Sequence, residues 1–137
     1  MKYFTIEELC ASDTACARGI DNTPSSGVAL ALTTLIEKLL DPIREAWGGP
    51  ITVNSGYRSP ALNKVVGGVA TSQHQKGEAA DLNAGDPVKN RQLFDKIVEM
   101  QKAHLIAFDQ LIDESGYAWV HISYRQGRNR GQVLHLK

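Results

Sequence analysis

The 137-residue chain is poor in several things, and each shortage removes a class of function. It has no excess of either charge sign, with 15 basic and 15 acidic residues. The Lys and Arg residues are scattered, so the basic field that nucleic-acid binding needs is lacking, and no nucleic-acid partner is expected. Long apolar runs are missing too. The longest, Gly27 to Leu32, is far too short to cross a bilayer, and no membrane partner is expected. The N-terminal residues lack the apolar stretch of a secretory signal, which predicts synthesis in the cytoplasm without an export signal. Only two cysteines occur, Cys10 and Cys16, and their spacing fits no metal or redox motif. They are expected to be free thiols in a chain large enough to fold without a disulfide.

What is present describes an ordinary globular chain, with 42% hydrophobic and 22% charged residues. One domain over 1–137 is expected. Thr5-Ile-Glu-Glu8 has the form of a capping box and predicts a short helix, and residues 13–27 read as loop. From Val28 to Trp47 the residues Leu32, Leu35, Ile36, Leu39, Ile43 and Trp47 recur at helical spacing, with Pro42 expected to kink or interrupt the helix and Gly48-Gly49-Pro50 to end it. Ile51 to Ser55 reads as a strand, and the glycine-rich stretch 56–78 as mostly loop. Ala79 to Asn83 follows as a short strand. Asp86-Pro87 opens a helix that carries Leu93, Ile97 and Met100 on one face. Residues 107–113 and 118–124 form a hairpin, Gly127 to Gly131 is loop, and residues 133–136 suit a terminal strand. The fold class is α+β, a small, mainly antiparallel sheet with helices packed on one side.

The chemistry is concentrated in Ser72-Gln-His74-Gln-Lys-Gly77-Glu-Ala-Ala-Asp81 and Trp119-Val-His121. Two imidazoles and one carboxylate can give a zinc ion three protein ligands, which leaves a tetrahedral ion the open position of a catalytic site. Gly77 between His74 and Asp81 argues for a loop running into a strand. On its strand, His121 shares a face with Trp119 and Ser123, while Val120 and Ile122 turn to the core. Spacing alone leaves a surface histidine and a turn-capping aspartate open as the plainer reading.

Ser55-Gly-Tyr-Arg58-Ser-Pro, Leu62-Asn63-Lys, Gly67-Gly68, the Ser72/His74/Gly77/Asp81 segment and Trp119-Val-His121-Ile-Ser together resemble the M15 peptidase family. This family comprises zinc D-Ala-D-Ala carboxypeptidases and related cell-wall endopeptidases, of one fold with the hedgehog signalling domain. The likeness runs from about Phe4 to about Tyr124 and is closest to short, phage-associated members. It implies His74, Asp81 and His121 as ligands of Zn2+, water at the fourth position, and hydrolysis of an amide in peptidoglycan stem peptides. It also implies a role for Arg58 in orienting substrate or stabilising the developing oxyanion, consistent with what a guanidinium does for a carboxylate.

One departure concerns the general base. Several members of the family place an acid or another histidine two or three positions before the last ligand, where this chain has Ala118 and Trp119. Glu114 is the favoured substitute. If Ile112 pairs with His121, Glu114 shares the face of His121, whereas a register shifted by one residue presents Asp113 instead. Ser72 either touches substrate or orders the loop before His74. Tyr57 and Trp119 either line the cleft or pack. His104 and His135 are read as structural or surface residues. The resulting expectation is a monomeric zinc peptidoglycan peptidase, an endolysin of a phage or prophage that reaches the wall after holin release or as part of a particle. The alternatives are a non-catalytic zinc-binding domain, as in hedgehog, and a virion structural protein.

Overall fold

A computed structural model describes residues 2–136. Met1 and Lys137, the ends of the domain read as 1–137, lie outside the described residues. The first helix, α1 (Ile6–Cys10), starts where the capping box places it, with Thr5 Oγ1 accepting the Glu8 N–H at 3.1 Å. The stretch expected as loop contains α2 (Asp13–Arg18). Six residues that bury only Ala15 carry no readable periodicity. The local signals are the Ser12 cap on the Ala15 N–H and the left-handed Gly19 at the other end.

The long helical pattern forms α3 (Ser26–Leu35) and α4 (Asp41–Trp47), joined by a π-helical turn over Ile36–Leu40. Pro42 therefore does not break the helix. Its ring would clash with the carbonyl four residues back, and the wider turn, in which the Asp41 N–H bonds the Ile36 carbonyl, absorbs the misfit. Leu32, Leu35, Ile36, Leu39, Leu40 and Ile43 are all fully buried along this element. The stretch 56–78, expected to be mostly loop, holds α5 (Pro60–Val65) and a 3-10 turn over Gln73–Lys76. The last helix is α6 (Pro87–Lys102), capped by Asp86.

Five strands, β1 (Thr52–Ser55), β2 (Ala79–Asn83), β3 (Gln110–Glu114), β4 (Trp119–Ser123) and β5 (Gln132–Leu136), form one sheet in the order β1-β2-β4-β3-β5. Every pairing is antiparallel except β3 with β5. One face of the sheet, with Ala80, Leu82, Leu111, Val120 and Ile122, is fully buried and joins the helical residues in a single core. Helix α6 packs on this core through Leu93, Phe94 and Ile97, in contact with β3 and β4. The α+β expectation holds, and the opposite face of the sheet carries the polar residues of interest.

Candidate metal centre

The register of three strands sets the site. Asp81 on β2 pairs with His121 on β4, and His121 pairs with Ile112 on β3. Side chains two apart on a strand share a face, so Asp81, His121, Trp119, Ile112 and Glu114 all lie on the side away from the helices. A bulge between Val53 and Ser55 of β1 sits beside Asp81, and from it the chain leaves the sheet as Gly56-Tyr57-Arg58.

His74 comes from the 3-10 turn, which is fixed at four points. Ser72 Oγ accepts the His74 backbone N–H at 3.2 Å. The His74 carbonyl accepts the Arg58 N–H at 3.0 Å. Gly77 closes the turn at φ +72°, where a Cβ would lie 2.8 Å from the Val28 carbonyl oxygen. Gly56 holds the ring, its carbonyl 2.7 Å from His74 Nδ1. A Cβ on Gly56 would meet the Leu9 carbonyl oxygen at 2.3 Å, so only glycine permits that approach.

The three side chains converge. Asp81 Oδ1 lies 2.9 Å from His121 Nδ1 and 3.4 Å from His74 Nε2, and one donor atom from each residue falls within 4.8 Å of the others. The two imidazoles meet edge to face, with centroids 5.2 Å apart. Burial works to raise the Asp81 carboxyl, but hydrogen bonds and charge from His121 and His74 overcome it and hold the group well below the usual carboxylate range. The donor set suits zinc. With Nδ1 of His74 engaged by the Gly56 carbonyl, its Nε2 lone pair is directed at the cluster, the outer-sphere arrangement common to metal-binding histidines. Two nitrogens and one oxygen leave one tetrahedral position for solvent or substrate.

The remaining predicted residues fall around this cluster. Arg58 donates to Ser72 Oγ from Nη2 at 3.4 Å, and its buried Nε has no partner among the described residues. Burial lowers the pKa of the guanidinium, while the Asp81 and Glu114 carboxylates favour its charge. A half-buried cation whose buried Nε is an unused donor is poised for an anionic group. Ser72, buried, orders the turn as a cap and also touches Arg58. Tyr57 packs into the core and lines a cleft of about 490 Å³ together with Arg58 and Leu62. Glu114 is on the face of His121, one residue pair away, opposite Trp119. The Trp119 indole Nε1 donates to Glu114 Oε2 at 2.8 Å.

Asp113 takes the other face. It is buried and bound to His135 Nδ1 at 2.6 Å, so the register that would have presented it to His121 does not occur. His135 is thus a structural partner, while His104 sits exposed at φ +59°. Cys10 and Cys16 are separate thiols, the first half-buried and the second exposed.

Three further residues organise the site without any local sequence signal. Asp109, fully buried, accepts from Arg130 Nε and Nη2 at 2.8 and 2.9 Å and from Gln73 Nε2 at 3.0 Å, tying the His74 turn to the 125–131 loop. Asn90, fully buried, donates to the Tyr117 and Ala118 carbonyls at 2.9 and 3.2 Å and so fixes the hairpin that carries Glu114. Asn22 accepts the Ser59 N–H at 2.8 Å and donates to the Tyr57 carbonyl at 3.0 Å, bracing Arg58 from both sides. Their partners are distant in sequence, and no local motif marks them.

The sequence of this chain is 44% identical over 85 residues to the zinc D-Ala-D-Ala carboxypeptidase of Streptomyces albus G, a stretch covering 60% of this chain and 31% of that protein. The chain therefore spans only about a third of the length of that curated relative. Residues 2–123 match the family described as Peptidase M15, and with that match over most of its length the chain belongs to the M15 peptidase family.

Proposed function

We propose that this chain is a zinc-dependent peptidase that hydrolyses an amide bond in the stem peptides of bacterial peptidoglycan. The observation that carries the proposal is the convergence of His74, Asp81 and His121 on one point with a fourth position open, beside a half-buried arginine with an unused donor. The named activity of the Streptomyces albus G relative supports it.

His74 Nε2, Asp81 Oδ1 and His121 Nδ1 would hold the ion. Zinc, when bound, supplies a Lewis acid that polarises the scissile carbonyl and makes water more acidic. Glu114 is the general base that takes the water proton and returns it to the leaving amine. The Trp119 N–H on Oε2 fixes the carboxylate plane and leaves Oε1 for the proton. Arg58 binds a substrate carboxylate and aligns the peptide, and Ser72 holds Arg58 while capping the His74 turn. Tyr57 forms the wall of the cleft beside Arg58.

A second reading, a zinc-binding domain without catalysis, is favoured by Ala118 and Trp119 standing where several members of the family carry an acid or a histidine. A place in a phage or prophage lysis system or in a virion belongs to the same proposal and rests on the family resemblance, and action as a monomer is proposed with it. Among the described residues no helix is long and apolar enough to cross a membrane.

Digestion of defined peptidoglycan by the zinc-loaded chain, read by mass spectrometry of the fragments, tests the proposal. Release of new amino groups at one type of bond supports it. Full zinc loading with no release from several wall chemistries supports the binding domain instead.

A further inference from the structure

A second cleft of about 440 Å³ borders the metal cluster, with Ser72, Lys76, Gln110, His121, Arg125 and Arg130 in its wall. No acidic side chain lines it. Arg130 is neutralised by the paired hydrogen bonds to Asp109. Lys76 and Arg125 are in no ion pair among the described residues. Both are anchored at the backbone. Lys76 ends the 3-10 turn at Gly77, and the Arg125 N–H donates to Asn129 Oδ1 at 2.8 Å, which closes the 125–129 turn. Two cations in one concave, acid-free wall create a positive potential that a bound anion relieves. The cleft beside Arg58 differs, since Asp13 stands in its wall. The Arg58–Ser72 hydrogen bond joins the two clefts at the cluster.

Building on the peptidase reading, we infer that the second cleft is a subsite for a peptide residue bearing a free carboxylate, with Arg125 and Lys76 as its specificity-determining side chains. The enzyme then reads two carboxylates on one substrate. Arg58 takes one, and the Arg125–Lys76 wall takes another on a residue flanking the scissile amide. A peptide with that second carboxylate amidated loses its partner while keeping its shape.

The test is calorimetric binding of synthetic stem peptides, each with one carboxylate in turn replaced by a carboxamide, to the metal-free full chain. Two amidations are expected to weaken binding, each by about 10- to 100-fold, the range for one charge-assisted contact. One effect should vanish in Arg58→Gln, and the other in the double variant Lys76→Gln/Arg125→Gln. In the wild-type protein the second effect should also shrink as salt is raised, which serves if the double variant fails to fold. The inference is overturned if only one carboxylate matters, if both effects survive in the double variant, or if no peptide binds. Hydrolysis by the zinc-loaded chain separates the two ideas. Equal cleavage of every amidated peptide keeps the peptidase and removes the subsite. Selective binding with no cleavage keeps the subsite and removes the peptidase.

Discussion

Trp119 and Glu114 face each other across the β3–β4 hairpin, and the indole N–H donates to one carboxylate oxygen at 2.8 Å. The tryptophan thus holds an acid supplied by the neighbouring strand. Glu114→Gln retains an acceptor for the indole but cannot take a proton. It should lower kcat by about 10²–10⁴ while zinc content and thermal stability stay at wild-type levels. Trp119→Phe should cost less, about tenfold, because it frees the carboxylate without removing it. Steady-state kinetics with metal analysis on both variants checks this. Unchanged kcat in Glu114→Gln would exclude Glu114 as the base.

Arg58 is predicted to act on substrate rather than on the fold. Its Nε has no partner among the described residues and its one side-chain hydrogen bond is long, so removing the guanidinium breaks little inside the protein. Arg58→Gln should lower kcat/KM on a carboxylate-bearing peptide by about 10- to 100-fold, the range for one charge-assisted contact, with melting temperature nearly constant. A large fall in melting temperature would make Arg58 a structural residue.

The site was legible in the sequence where chemistry and strand periodicity coincide. His121 between Val120 and Ile122, and Asp81 between Ala80 and Leu82, declare their face by alternation, and both lie on the side of the sheet opposite the core. Glu114 could be ranked above Asp113 only conditionally, because a one-residue slip of the hairpin exchanges them. The register is fixed by long-range bonds, among them Asn90 to the Tyr117 and Ala118 carbonyls, that no local pattern reveals. Helices α2 and α5 were hidden for another reason. Each has six residues, too few for a hydrophobic period, and each shows itself only by its ends, Ser12 and Gly19 for α2 and Ser59-Pro60 for α5. The π-helical turn before Pro42 follows the same logic. Proline announces a disturbance of the helix, and burial of Ile36, Leu39 and Leu40 decides that the helix bends its hydrogen bonding rather than ends.

Gly56→Ala should separate folding from metal affinity. The added methyl would collide with the Leu9 backbone, and relief of the clash must move the carbonyl that orients His74. Overpacking of this kind costs about 1–3 kcal/mol, and loss of the outer-sphere bond weakens metal binding by about 10- to 100-fold. Denaturant titration and competitive zinc titration read the two effects. Wild-type zinc affinity in a folded variant would show that the Gly56 carbonyl does not orient the ring.

Asp109 makes acid pH a structural variable. Hydrogen bonding from Arg130 outweighs burial and holds its carboxyl below the ordinary value. The folded-state pKa is therefore depressed, so this stabilisation is complete above the unfolded value of about 3.9 and is lost as pH falls through the folded one. Wild-type stability should decline through this window more steeply than that of Asp109→Asn, which lacks the titrating group. Parallel pH–stability curves for the two would refute the assignment.

The most direct measurement is the anomalous diffraction of zinc in crystals of the zinc-loaded protein. One strong peak per chain is expected, within about 2.0–2.2 Å of His74 Nε2, Asp81 Oδ1 and His121 Nδ1, with one further ligand from solvent. A peak elsewhere, or an ion at this cluster closed by a fourth protein ligand, would contradict it.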